Sequence, residues 1–389
     1  MKLFEIEEKG KWGFINNKGE VVIEPKFDST IGFNGELAFV LLGEKKGFID
    51  KTGKIVIELP NEVDFAQFVD GMALINIRDK FGFINKKGHI VIKPIFDDAN
   101  DFSEGLAAVN VGCQIKQGHC LPIKTGGRWG FVNKFGELVI KPTFQEVSFF
   151  SEGLAGIKED DKWGFINKEG KIVIKPEFDS VSAFHSKRAS VIVKGKYGFI
   201  NKLGKYVVDP KFTYALSCFD GLAAVYVGGC KMINGSLEGG NWGFVDVNGN
   251  MVIQPRFDGI QGVSLNEDPF HENAAAINIG AKYMQDGGDV HGGKWGFIDK
   301  KGKIIVEPQF KSAFYFSDGL AAVNIGGRSQ YGLTIGGKWG YIDKKGNFVI
   351  KPKFYRALNF VDGLAEVNID KKKFGYIDKN ENWVWKPTN

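Results

Sequence analysis

Short apolar segments recur along this chain at a nearly fixed spacing. The copy at 153–178 reads GLAGIKEDDKWGFINKEGKIVIKPEF and holds three of them. Leu154–Ile157 is small and apolar, Lys162–Asn167 is KWGFIN, and Lys171–Pro176 is KIVIKP. Each segment is four to six residues long and is bounded by Gly, Asp, Asn or Pro. Their β-branched and aromatic content reads as strand, and nothing supplies the 3.6-residue period of a helix. A tight turn joins the first two segments. Asn-Lys-x-Gly joins the next two, and its glycine suits a left-handed turn position. Each copy is predicted to be a three-stranded antiparallel meander of strands a, b and c.

The middle strand carries the marker. Trp12-Gly13, Trp129-Gly130, Trp163-Gly164, Trp242-Gly243, Trp295-Gly296 and Trp339-Gly340 are six copies. Phe81-Gly82, Tyr197-Gly198 and Phe374-Gly375 keep the ring, and Lys46-Gly47 keeps the glycine alone, making ten repeats of about 34 residues. A period of this size means a repeat architecture. The predicted units are 1–28, 36–61, 71–97, 105–145, 153–179, 187–212, 221–258, 272–310, 319–354 and 363–389, one array over 1–389.

Alternation suggests how units pack. Trp163 and Phe165 face one way and Ile166 the other; Ile172 and Ile174 oppose Val173. Both faces are apolar, so neighbouring units are expected to cover each meander on both sides. The recurrent tryptophans are expected in the core, with each following glycine making room for a neighbour's backbone or a bulge. Ten of the twelve prolines, Pro176 and Pro387 among them, are read as closing strand c, which makes it the outer strand. The fold class is all-β, ten meanders in a propeller-like ring. An open superhelical array is the alternative. Trp383 and Trp385 replace two isoleucines in the last strand c, as a cap on an open end or a plug at a closing seam.

Composition changes this little. The chain is 43% hydrophobic and 25% charged, ordinary for a globular protein. A formal charge of +5 does not argue for nucleic acid. The N-terminus lacks the apolar core of a signal peptide, no run is long enough for a membrane-spanning helix, and a cytoplasmic location is expected.

The pattern K-W-G-[FY]-[IV]-[ND]-K-x-G-K-x-V-I-x-P-x-[FY]-D, followed by F-S-[ED]-G-L-A-x-V, resembles the bacterial WG-repeat, or KWG-repeat, family. Residues 162–179, 294–310 and 338–354 match it almost without gaps. The resemblance implies a β-rich repeat module and no catalytic residue set. The second copy departs most, with Lys46 for Trp and ELPNEVDF at 58–65, which is expected to loosen that unit.

Four intervals between markers are long: 81 to 129, 197 to 242, 242 to 295 and 295 to 339. The extra residues fall mainly in the a–b turn, at Gly112–Gly127, Gly228–Gly240, Gly280–Gly293 and Gly326–Gly337, and the interval 242 to 295 also carries extra residues before strand a at Gly262–Glu272. They read as extended hairpins on one side of the array, where repeat proteins often bind. The candidate binding residues are Ile115, Lys116, His119, Met232, Tyr283, Met284, His291 and Tyr331. Packing of the hairpins on one another is the competing reading.

Other chemistry is weakly indicated. Cys113, His119 and Cys120 share one insertion, but their spacing is not that of a zinc site. A Cys113–Cys120 disulfide fits the hairpin only in an oxidising compartment. Cys218 reads as a core thiol. No hydrolase, nucleotide-binding or metalloprotease motif occurs, so no catalytic residue, metal or cofactor is expected. Lysines at the b–c turn and acids before strand a should form solvated ion pairs along one rim. The expected function is a non-catalytic scaffold recognising a protein or peptide through the hairpins. The alternative is a glycan or cell-envelope binding module using Tyr283, Tyr331, Trp383 and Trp385.

Overall fold

Strand b of blade five meets strand a in unbroken antiparallel register and strand c in a broken one. Leu154–Glu159 pairs with Lys162–Asn167, from Leu154 opposite Asn167 to Glu159 opposite Lys162. On the other side, Trp163 lies opposite Phe178 and Phe165 opposite Ile174. Strand c thus spends two more residues than strand b between those pairs, and Pro176 lies in the excess, a β-bulge. Blades one, three, four, six, seven, eight and nine repeat this break.

The bulge corrects the reading of proline. Pro176 does not end strand c, which runs Ile172–Phe178. Pro25, Pro94, Pro142, Pro210, Pro255, Pro308 and Pro352 are also internal. A proline that cannot donate a hydrogen bond is tolerated at an edge bulge, and strand c is the edge strand of its sheet. Blade two is the exception. Its strand c, Ile55–Leu59, keeps register past Phe48 and Gly47 to Lys46, and Pro60 follows it. Pro387 lies outside the described residues.

The computed structural model describes residues 2–60, 62–63, 67–116, 123–231, 237–261, 268–283, 290–330 and 333–386. It is all-β among these residues, as predicted, with ten small antiparallel blade sheets in sequence order and one further two-stranded sheet. The three-stranded prediction is incomplete. In most blades the preceding link adds a short strand beside strand a, as Asp98–Ala99 does on Leu106–Lys116. Two residues carry no readable alternation, so this fourth strand has no signal in the sequence. The chain divides into two compact units: Met1–Asn16, Glu20–Phe184 and Lys202–Gly204; and Asn17–Gly19, His185–Asn201 and Lys205–Asn389.

Blades are stitched by phenylalanine. Phe165 meets Phe184, from the link into blade six, edge to face with centroids 4.8 Å apart. Phe14–Phe33, Phe83–Phe102, Phe131–Phe150, Phe297–Phe316 and Tyr341–Phe360 repeat the contact. Small residues of the next strand a close the same cluster, as Ala107 does beside Phe83 and Phe102. The tryptophans contribute less than expected. Trp242 and Trp339 are buried, but Trp12, Trp129, Trp163 and Trp295 are half-buried. Trp12 and Trp163 stand one residue from the a–b turn at the start of strand b, whereas Trp129 and Trp295 stand mid-strand at the roots of the insertions.

The expectation that strand c is covered on both faces also needs correction. Ile174 is 5% exposed, but Ile172 is 41% and Val173 40% exposed. As the edge strand, it receives mainly the b–c turn of the next blade. A Cβ added to Gly204 would meet Ile174 Cγ2 at 3.1 Å. Gly53 stands the same way on Ile23, and a Cβ added to Gly19 of the first repeat would meet Val384 Cγ1 of the last at 3.1 Å. The fold is of the propeller type.

Candidate functional site

Both ends of the blades carry ordered polar devices. At the b–c end, each acid before strand a has a left-handed backbone (φ 51° at Glu104) and clamps the next blade. Glu104 accepts from Gly153 N at 3.0 Å and pairs with Lys168 Nζ at 3.2 Å. Lys168 also donates to the Glu104 carbonyl at 2.9 Å. Asp70 with Lys134, Glu152 with Lys202 and Glu272 with Lys344 repeat the pair. The hydrogen bond from Lys134 holds the Asp70 carboxyl below its ordinary value, with the Gly105 N–H adding to it against the cost of burial. The expected rim of ion pairs is present, and it joins successive blades.

At the opposite end, an aspartate after strand c links three segments. Asp97 accepts from Lys80 Nζ at 2.5 Å and from Gly112 N at 2.5 Å. Lys80 belongs to the strand b just passed and Gly112 to the next blade's insertion. Lys11–Asp28 and Lys162–Asp179 are the same pair.

The insertions rise from this end. Three continue strands a and b without leaving the sheet. Leu106–Lys116 pairs with Ile123–Asn133, Leu222–Lys231 with Leu237–Asp246, and Ala274–Tyr283 with Val290–Asp299. In blade nine, Arg328–Gln330 pairs with Leu333–Ile335 as a separate two-stranded sheet. That hairpin lies against Val290–Asp299 of blade eight, so packing between neighbouring hairpins is part of the arrangement.

The insertions of blades nine and seven are pinned at their roots by a buried polar side chain that the sequence reading missed. Asn324 is 0% exposed. Its Oδ1 accepts from Gly327 N at 3.0 Å and its Nδ2 donates to Gly336 O at 3.2 Å, bridging both sides of the root. In blade seven the Tyr226 hydroxyl accepts from Gly240 N at 3.0 Å. Asn110 and Asn278 hold the same place in blades four and eight, opposite Trp129 and Trp295, but Asn110 makes only a long bond, Nδ2 to Gly126 O at 3.5 Å, and the buried Oδ1 of each accepts no hydrogen bond among the described residues. The signal was legible as Asn or Tyr, then Val or Ile, then Gly, at the start of every insertion. The glycines take left-handed conformations there, as at Gly326 (φ 78°) and Gly337 (φ 70°).

The predicted binding residues are not brought together by any described side-chain contact. Ile115, Lys116, Tyr283 and His291 lie on the paired hairpin strands, and their side chains are outside the described set. His119, Met232, Met284 and Tyr331 lie outside the described residues, as does Cys120 with the disulfide question. Cys218 is buried as expected, and burial pushes its thiol up to about 11. It occupies the position that the stitching phenylalanine holds elsewhere. Trp383 packs against the Phe354 cluster, and both it and Trp385 are half-buried edge-strand residues, so neither is the exposed platform a glycan site needs. An open cavity of about 180 Å³ lies at blade two, lined by Phe33, Phe39, Phe48 and Phe68 among others. No group of three or more metal-ligating side chains gathers among the described residues. Among the described residues, no helix is long and apolar enough to cross a membrane.

Repeated blades joined by link residues, with hairpin insertions in four of them, define a β-repeat scaffold of the propeller class. The family match agrees with this. The chain belongs to the WG containing repeat family, which matches residues 12–45, 47–81, 81–112, 129–163, 163–197, 197–229, 242–283, 295–328 and 339–372. No curated protein matches the chain. In fold it is similar to a crystal structure of the eukaryotic initiation factor, at 13% identity and a TM-score of 0.52 over 100% of both chains. It is more distantly similar to BamB from Moraxella catarrhalis, at 8% identity and a TM-score of 0.31, covering 82% of this chain and 92% of that one. Kluyveromyces lactis Hsv2 matches at 9% identity and a TM-score of 0.31, covering 58% and 86%. At these identities the first likeness speaks to the fold alone.

Proposed function

We propose that this protein is a non-catalytic scaffold that recognises a protein or peptide through its hairpin insertions. The observation that carries the reading is the buried pin. A loop that only tolerates extra residues has no need of a buried Asn or Tyr at its root, whereas a recognition element gains from a fixed direction, because binding then orders fewer side chains. The regular blades supply a rigid base, and binding residues commonly sit on segments that a rigid scaffold positions. The test replaces the insertions of blades seven to nine, beyond their glycine roots, with tight turns. Partner capture by the intact and trimmed chains is then compared by quantitative mass spectrometry. The trimmed chain should stay folded and lose the partner; equal capture by both chains would sink the reading.

A further inference from the structure

At the insertion end, the Lys–Asp pairs of blades one, three and five are replaced in blades eight and nine. The lysine preceding Trp pairs with the aspartate after strand c in Lys11–Asp28, Lys80–Asp97 and Lys162–Asp179. In blade eight the two positions hold Lys294 and Lys311, and in blade nine Lys338 and Tyr355. No acid stands where the acid should. Lys294, Lys311 and Lys338 make no salt bridge among the described residues, and Lys294 and Lys338 are exposed.

The same positions run beside exposed isoleucines. Ile279 lies directly across from Lys294, and Ile325 across from Lys338. The link backbone carries the strip from blade to blade: Lys311 N donates to Asn324 O at 2.9 Å, and Tyr355 N donates to Asn368 O at 2.8 Å. Lys311 therefore borders Ile325, and Tyr355 borders Ile369. Ile279, Ile325 and Ile369 are 38%, 45% and 45% exposed. Cation and apolar side chain thus follow one another across three blades. Asp258 and Asp370 stand at the two ends. Asp258 accepts from Gly280 N and Asn241 Nδ2, and Asp370 from the backbone N–H groups of Lys372 and Lys373.

We propose that this strip binds an acidic peptide segment with interspersed apolar side chains. Lysines that make no salt bridge among the described residues and whose usual partner position holds no acid favour an anionic partner, and complementary charge sets its register. The side chains between the cations are aliphatic, and Tyr355 at one end is a single ring where successive bases need a series of stacking platforms, which argues against single-stranded nucleic acid. The inference rests on the recognition reading above, but its site is the hairpin roots and not the hairpins.

The test uses the full chain and a fluorescein-labelled peptide of alternating Glu and Leu, followed by fluorescence anisotropy. The comparators are a Ser-Leu peptide, oligothymidine and phosphatidylserine vesicles. Binding of the Glu-Leu peptide should weaken with added salt. In the Lys294→Glu/Lys338→Glu variant it should weaken about ten-fold or more, the range expected for lost charge complementarity. Lys175→Glu, an exposed lysine on an edge strand of blade five, should leave it unchanged. Absence of Glu-Leu binding, equal binding of the Ser-Leu peptide, equal loss in Lys175→Glu, or preference for oligothymidine or vesicles would each overturn the proposal. A chain trimmed of its hairpins that still binds the peptide but loses its partner supports both proposals. One that keeps its partner overturns the hairpin reading and leaves the strip standing.

Discussion

Gly164 and Pro176 are in contact because the strand c bulge folds its proline over the glycine that follows Trp163. A Cβ placed on Gly164 would lie 2.6 Å from Pro176 N and 2.5 Å from Ile174 O. Both are backbone atoms, so neither can swing away. Gly164→Ala should destabilise the protein by about 1–3 kcal/mol, the usual cost of overpacking. Thermal unfolding followed by circular dichroism checks this. Gly47→Ala is an informative partner, because blade two lacks the proline bulge yet Ile57 O still closes on Gly47. If both variants melt with the wild type, the glycine is not held by its sheet.

The Phe165–Phe184 contact should couple blade five to the link that follows it. Both rings are fully buried. Phe165→Ala should cost about 3–5 kcal/mol. A double-mutant cycle with Phe184→Ala should give a coupling of about 0.5–1.5 kcal/mol beyond area burial. Additive losses would show that the edge-to-face geometry contributes nothing specific.

Cys218 should be inert in the folded protein. Burial pushes its thiol up to about 11, so the reactive thiolate is scarce at neutral pH. Iodoacetamide labelling at pH 8, read by peptide mass spectrometry, should reach Cys218 only after denaturant is added. Prompt labelling of the native chain would contradict its place in the core.

Acid should weaken the aspartate links at the insertion end. The Lys80 hydrogen bond holds the Asp97 carboxyl below its ordinary value, and the Gly112 N–H adds to this against burial. A carboxyl depressed in the folded state contributes stability above its unfolded value, near 3.9, which is lost as pH falls through the lower folded value. Denaturant midpoints should therefore drop as pH falls below about 4. Asp97→Asn should flatten that part of the profile while leaving its upper part parallel to wild type.

The hairpin of blade nine should depend on Asn324. Truncation to alanine leaves Gly327 N and Gly336 O without their partner, at about 1–3 kcal/mol. Hydrogen exchange should quicken at the root, Gly326–Gly327 and Gly336–Gly337, and not in Trp339–Ile342 of strand b. Uniform quickening across the blade would mean that Asn324 holds the core and not the hairpin.

The strand content, the ten-fold repeat and the edge position of strand c were legible in the sequence. They follow from local side-chain patterning and from repetition, which a single chain displays directly. The insertions were legible as interruptions of the period. Their pins were present as Asn-Ile-Gly or Tyr-Val-Gly, but a buried amide looks like any other asparagine until its two partners are placed. Other features required the third dimension. Pro176 reads as a strand end until the register of Phe178 against Trp163 shows two residues in excess. Phe165, and not Trp163, proved to be the deeper ring, because depth depends on how far a position stands from the turn. The meeting of Gly19 with Val384 joins residues at opposite ends of the chain. Local pattern determined what each blade is; contacts distant in sequence decided which residues it buries and which side chains it leaves for a partner.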